Sequence, residues 1–179
     1  MKFFITICTL LIAQAGLAQD FMWSYQGSGC PDKSIIQRKN PTNNENELSF
    51  TSLTAYKQGG LTCNLRLQIK GQQNISVALD TMTVFYNYWL SENVIADFYL
   101  VSTVDGIRDA SQGMVFAGPD FNDGQVNVYD HSPKTWTPCG RDSEITIDIN
   151  VAIHTPSNDA QRMMLEKITY PKLMTKPCQ

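Results

Sequence analysis

The stretch Leu61-Thr62-Cys63-Asn64-Leu65-Arg66-Leu67-Gln68-Ile69-Lys70 alternates apolar and polar side chains without a break. Successive side chains of a strand point to opposite faces, so this period of two places one apolar row against a core and one polar row in water. The pattern returns in Ile145, Ile147, Ile149, Val151 and Ile153, interleaved with Thr146, Asp148, Asn150, Ala152 and His154. Weaker strand patterns cover 34–39, 47–53, 75–79, 82–90, 93–101, 113–117 and 125–129, each bounded by Gly, Pro, Asn or Asp. Helical periodicity is nearly absent; 158–167 fits a turn or two of helix, or a last strand carrying Met164, Leu165 and Ile168. Short strands at this spacing predict an all-β fold, an antiparallel β-sandwich of about eight or nine strands.

The first residues give a compartment. Lys2, an apolar run from Phe3 to Ile12, and the small-residue stretch up to Ala18 have the order of a secretory signal peptide, predicting a leader over 1–18 and a mature chain from Gln19. The run is shorter than the roughly 20 apolar residues a membrane helix needs, so no membrane insertion is expected. Of the 179 residues, 19–179 suit one secreted domain. Losing Lys2 takes the 14 basic residues to 13 against 17 acidic ones, a formal net charge of −4. That balance offers no phosphate-binding surface, which argues against nucleic acid and anionic membranes as partners. A secreted monomer is expected.

Cys8 falls in the leader, leaving Cys30, Cys63, Cys139 and Cys178. Four cysteines in an exported chain predict two disulfides, with three pairings open. Zinc is disfavoured, since no two of them sit at C-x-x-C spacing and neither His131 nor His154 completes a ligand pair. No metal and no cofactor is expected.

The densest feature is Phe85-Tyr86-Asn87-Tyr88-Trp89. On a strand, Val84, Tyr86, Tyr88 and Leu90 face one way and Phe85, Asn87 and Trp89 the other. With the first row in the core, the second offers an aromatic platform of the kind that stacks sugar rings; the competing reading is a strand covered on both faces. Trp136, in the Pro- and Gly-bounded Trp136-Thr137-Pro138-Cys139-Gly140, is a second candidate platform. Asp120-Phe121-Asn122-Asp123-Gly124 has the oxygen-rich look of a calcium loop, but its Gly comes too early for the EF-hand register, and a turn between strands is the better reading.

Catalytic patterns are thin. His131 and His154 lack a G-x-S-x-G elbow or a free cysteine, which argues against a nucleophilic triad. Copper-dependent polysaccharide oxidation needs a histidine where Gln19 would stand. A carboxylate pair for glycoside hydrolysis stays open, with Asp97 and Asp148 the least typical in position. Asn74-Ile75-Ser76 is a glycosylation sequon, making Asn74 a modification candidate.

The sequence also carries Gly27-Ser28-Gly29-Cys30-Pro31, Leu48-Ser49-Phe50, Thr62-Cys63-Asn64-Leu65, Gly118-Pro119, the Trp136 to Gly140 element and a last Cys178. In this order they resemble a family of small secreted proteins, mostly fungal with some bacterial members, known as the domain of unknown function, family 4360. Thr62 stands where that family usually has Asn, and Gly71 where a Pro-Gly turn is common. The resemblance runs from about Tyr25 to Cys178. It implies a secreted all-β domain with two disulfides and transfers no activity.

These readings favour a secreted non-catalytic module that binds extracellular or cell-wall glycan, or another protein at the cell surface. The alternatives are a polysaccharide hydrolase using two carboxylates and a structural or host-interaction protein.

Overall fold

The computed structural model describes residues 23–39, 41–42, 46–56, 58–71, 75–131, 135–154, 161–170 and 173–178, and for 121–131 and 170 the backbone alone. The leader, Asn74 and residues 132–134 lie outside the described residues. Thirteen strands run through the described part: β1 (Ser24–Gln26), β2 (Ile35–Lys39), β3 (Asn46–Phe50), β4 (Thr54–Ala55), β5 (Gly59–Ile69), β6 (Ile75–Ala78), β7 (Met82–Leu90), β8 (Ile95–Val104), β9 (Ile107–Ala117), β10 (Asp120–His131), β11 (Ser143–Ile153), β12 (Arg162–Tyr170) and β13 (Met174–Pro177).

The two strongest alternations in the sequence pair with each other. β5 and β11 run antiparallel from Ile69 opposite Ser143 to Gly59 opposite Ile153, so their apolar rows fall on one face. They are central in a five-stranded sheet of order β1-β5-β11-β8-β9. The second sheet is six-stranded, β10-β7-β12-β3-β2 with β4 beside β12. Its inner row includes Leu48, Met82, Val84, Tyr86, Met163, Leu165 and Ile168, and this row shares one core with Leu65, Ile147, Ile149, Phe98 and Leu100 of the first sheet. All pairings are antiparallel, and the fold is the expected all-β sandwich.

Aromatic rings fill the region where β9 passes through cis Gly118-Pro119 from one sheet to the other. The Tyr86 ring lies 4.9 Å from that of Phe98 and 5.4 Å from that of Phe116, and Tyr88 lies 4.5 Å from Phe116. These spacings suit tilted contacts, each contributing about 0.5–1.5 kcal/mol beyond the area buried.

The strand count exceeds the expected one for a physical reason. β1, β4 and β13 span 3, 2 and 4 residues, too few for an alternation to show. The ambiguous 158–167 stretch contributes to β12, where burial of Met163, Leu165 and Ile168 selects strand over helix. The Asp120–Gly124 stretch read as a turn opens β10 instead, and the chain bends just before it, at Gly118-Pro119.

The disulfides join Cys30 to Cys63 and Cys139 to Cys178. The first is buried against β5. Gly27, at φ 140°, explains how the Gly-Ser-Gly-Cys turn reaches it, since a Cβ there would fall 2.2 Å from the Thr62 carbonyl oxygen. Only glycine combines that dihedral with that approach. The second bridge ties a third, two-stranded ribbon of β6 and β13. Thr137 extends the ribbon: its N–H donates to the Val77 carbonyl at 2.7 Å, and its hydroxyl accepts from the Val77 N–H at 2.9 Å.

Candidate functional site

Alternation along β7 sends Met82, Val84, Tyr86, Tyr88 and Leu90 into the core and Phe85, Asn87 and Trp89 to the outer face of the six-stranded sheet. The four expected ligand-binding residues then part company. Trp89 is 54% exposed, standing opposite Phe121 on β10 and Arg162 on β12. The reading in which β7 is covered on both faces therefore fails at this residue.

Phe85 is half-buried, because the Lys167 ammonium sits 4.4 Å from its ring centroid. The same ammonium lies 3.1 Å from Glu47 Oε2, and the Ser49 hydroxyl donates to Glu47 Oε1 at 3.0 Å. Burial raises the Glu47 pKa, but the hydrogen bonds from Lys167 and Ser49 and the charges of Lys167 and Arg38 outweigh it and hold the carboxyl below its ordinary value. A depressed carboxyl adds stability above its unfolded pKa, and that share is lost as pH falls through the folded value.

Asn87 is buried, with 5% exposure, so it is no open amide donor beside an apolar ring. The cause is a register irregularity between Leu165 and Lys167 on β12, which inserts Glu166 as an extra residue beside it. The Asn87 Nδ2 donates to Glu166 Oε1, while Oδ1 has no partner among the described residues. One strand position further, the Tyr88 hydroxyl donates to Asp120 Oδ2 at 2.9 Å. Burial and that carboxylate push its pKa up to about 12.

Trp136 sits elsewhere, half-buried beside the β6–β13 ribbon, with Lys176 Nζ 4.5 Å from its ring centroid. The six-stranded sheet thus presents one open indole ring, flanked by covered neighbours.

Asp97 and Asp148 both lie on the outer face of the five-stranded sheet, but Asp148 pairs with Val101, four residues beyond Asp97. That offset is about 13 Å along the strand, outside the roughly 5 to 9.5 Å that separates glycosidase carboxylates. Asp148 accepts from Asn64 Nδ2, and Asp97 Oδ2 lies 2.7 Å from His154 Nε2. The side chain of His131 lies outside the description. Among the described residues, no group of three or more His, Cys, Asp or Glu is placed to hold a metal ion.

Residues 22–172 match the family described as Domain of unknown function (DUF4360). The chain belongs to this family. No curated protein matches this chain in sequence. Among solved structures it is similar to TmCBM61 in complex with beta-1,4-galactotriose, at 11% identity and a TM-score of 0.32, over 87% of this chain and 88% of that one. CBM35 from Paenibacillus barcinonensis gives 12% identity and a TM-score of 0.24, over 83% and 98%. A family two carbohydrate esterase from Cellvibrio japonicus gives 8% and 0.30, over 89% of this chain and 36% of that one. Likenesses this loose carry no argument about what this chain does.

Proposed function

We propose that this protein is a secreted, non-catalytic module that holds an extracellular or cell-wall glycan against the outer face of its six-stranded sheet, with Trp89 as the stacking platform. The leader-like N-terminus and the two disulfides support an extracellular setting. The observation that carries the reading is the 54% exposure of Trp89 on a face where Phe85 and Asn87 are covered. Large apolar rings are normally buried, and an indole kept in water by a rigid strand is preorganised for a sugar ring.

The test is retention on chitin, β-glucan and cellulose, followed by a reducing-sugar assay. Wild type is retained without releasing product, and Trp89→Ala loses retention while keeping its melting temperature. Raising salt from about 0.05 to about 0.5 M leaves the wild type bound, because stacking is not screened as exposed charge pairs are. Elution by salt, or unfolding of Trp89→Ala, overturns the platform. Release of reducing sugar replaces it with a hydrolase.

A further inference from the structure

The outer face of the other sheet carries a second arrangement suited to a ligand. On the outer face, β11 places Asn150 and Ala152, the latter 7% exposed, with His154 just past its end, and β8 places Asp97 and Tyr99. The register sets Asn150 opposite Tyr99 and Ala152 opposite Asp97, so the amide, the phenol ring and the carboxylate surround one small residue. On the far side of β11, Gly60 pairs with Ala152 and lines an open depression of about 400 Å³ together with Tyr56, Gln58 and Gly59.

Tyr99 is 45% exposed, and its ring is seated. It stands opposite Gly113 on β9, and a Cβ at Gly113 would fall 2.3 Å from Tyr99 Cδ2. The ring therefore occupies the space a side chain at Gly113 would take, supported by the neighbouring strand and open to water. Such support removes the rotamer entropy that a free surface tyrosine loses on binding.

The polar groups around it are unspent. The Asn150 amide has no hydrogen-bond partner among the described residues, and neither does Asp97 Oδ1, since His154 occupies only Oδ2. An amide supplies two donors and an acceptor, and a carboxylate oxygen is a strong acceptor for a hydroxyl. An apolar ring beside two donors and two acceptors matches a pyranose, whose C–H face stacks while adjacent hydroxyls hydrogen-bond. The Asp97 carboxylate in the same place repels uronates, sulfates and phosphates.

We propose that Tyr99, Asn150 and Asp97 form a second ligand site, distinct from Trp89, that takes one residue of a neutral, hydroxyl-rich saccharide, with Gly113 and Ala152 shaping its seat and floor.

The test uses isotope-labelled protein and follows the Asn150 side-chain amide by NMR while cellotetraose, xylotetraose, mannotetraose or tetragalacturonate is added to millimolar concentration. At least one neutral tetrasaccharide shifts that signal in the wild type and equally in Trp89→Ala, and tetragalacturonate does not. Tyr99→Ala weakens the binding about tenfold, as loss of one stacking contact implies. Should uncovering Gly113 unfold that variant, Asn150→Ala serves in its place, read through the backbone amide of Tyr99, with a loss of similar size. The site is overturned if no neutral tetrasaccharide moves the Asn150 amide, if the acidic one binds better, or if Trp89→Ala abolishes the shift. Polysaccharide retention plays no part in this measurement, so failure of the Trp89 platform and failure of this site are read separately.

Discussion

In the five-stranded sheet, β5 and β11 pair along the whole 11-residue length of β11 with no shift of register. In the six-stranded sheet, β7 meets an irregularity on each side, between Asn122 and Asn127 on β10 and between Leu165 and Lys167 on β12. The unbroken ladder keeps its polar row in water, with Arg66, Gln68 and Asp148 all exposed. The interrupted one draws Asn87 under cover and sets Glu166 against it. A bulge alters which residue meets which neighbour, so strict alternation in one strand stops predicting exposure once the adjacent strand gains a residue.

The most damaging substitution should fall at the middle of the unbroken β5–β11 ladder. Ile147 is fully buried, paired with Leu65 on one side and Ser102 on the other. Ile147→Asp puts an unpaired carboxylate into the core at a cost of several kcal/mol, against the roughly 5–15 kcal/mol that holds a domain together. The variant should lose its cooperative melt by circular dichroism. A melt within a few degrees of wild type would show that this row does not face the core.

The same contrast explains what was legible in the sequence. Both long alternations, the inward row of β7 and the outward placing of Trp89 follow from a period of two. The burial of Asn87 does not, because the extra residue that covers it belongs to β12, about eighty positions away in the chain. The seat of Tyr99 has the same character: Tyr99 reads as a strand residue, but that Gly113 lies opposite is a matter of β8–β9 register. The cysteines announced two bridges and left three pairings open, since pairing is decided by which strand ends the fold brings together.

The two bridges differ in their exposure. Cys30 and Cys63 are each 1% exposed and anchor the inner row of the five-stranded sheet, while Cys139 is exposed on the small ribbon. Replacing either pair by alanine should cost roughly 2–4 kcal/mol, since the loops closed are of similar length, 33 and 39 residues. Reduction under native conditions should differ, because attack needs access to a sulfur. Alkylation and peptide mapping after mild reductant should find Cys139 and Cys178 labelled first, and denatured, unreduced protein should titrate no thiol. Earlier labelling of Cys30 would place the accessible bridge at the wrong sheet.

Asn87→Asp probes the interrupted sheet directly. It sets a second carboxyl beside Glu166 in a covered position, replacing a hydrogen bond by repulsion, at a cost of about 1–3 kcal/mol at neutral pH. A carboxyl whose folded pKa is raised costs stability above that value, and the cost vanishes below the unfolded pKa. The variant should therefore approach wild-type stability as pH falls below about 4. Denaturant melts at two pH values decide it. A pH-independent loss would mean that packing, not the Glu166 contact, governs this position.

The least change is expected on the outer row of the unbroken β5–β11 ladder. Asp148 is exposed, accepts from Asn64 Nδ2, and is linked through Asn64 Oδ1 to Arg66 Nε at 2.6 Å. This chain of contacts lies in water, where an ion pair or hydrogen bond largely replaces one made to solvent and nets from nothing to about 1 kcal/mol. Asp148→Asn keeps the shape and an acceptor oxygen while removing the charge, so stability should change by less than about 0.5 kcal/mol. Since Ile147 and Asp148 are chain neighbours on one strand, the pair of variants measures the alternation itself: adjacent positions, opposite faces. A loss above about 2 kcal/mol for Asp148→Asn would mean that the Arg66–Asn64–Asp148 chain is not solvated, and that the outer face of this sheet is covered in the folded protein.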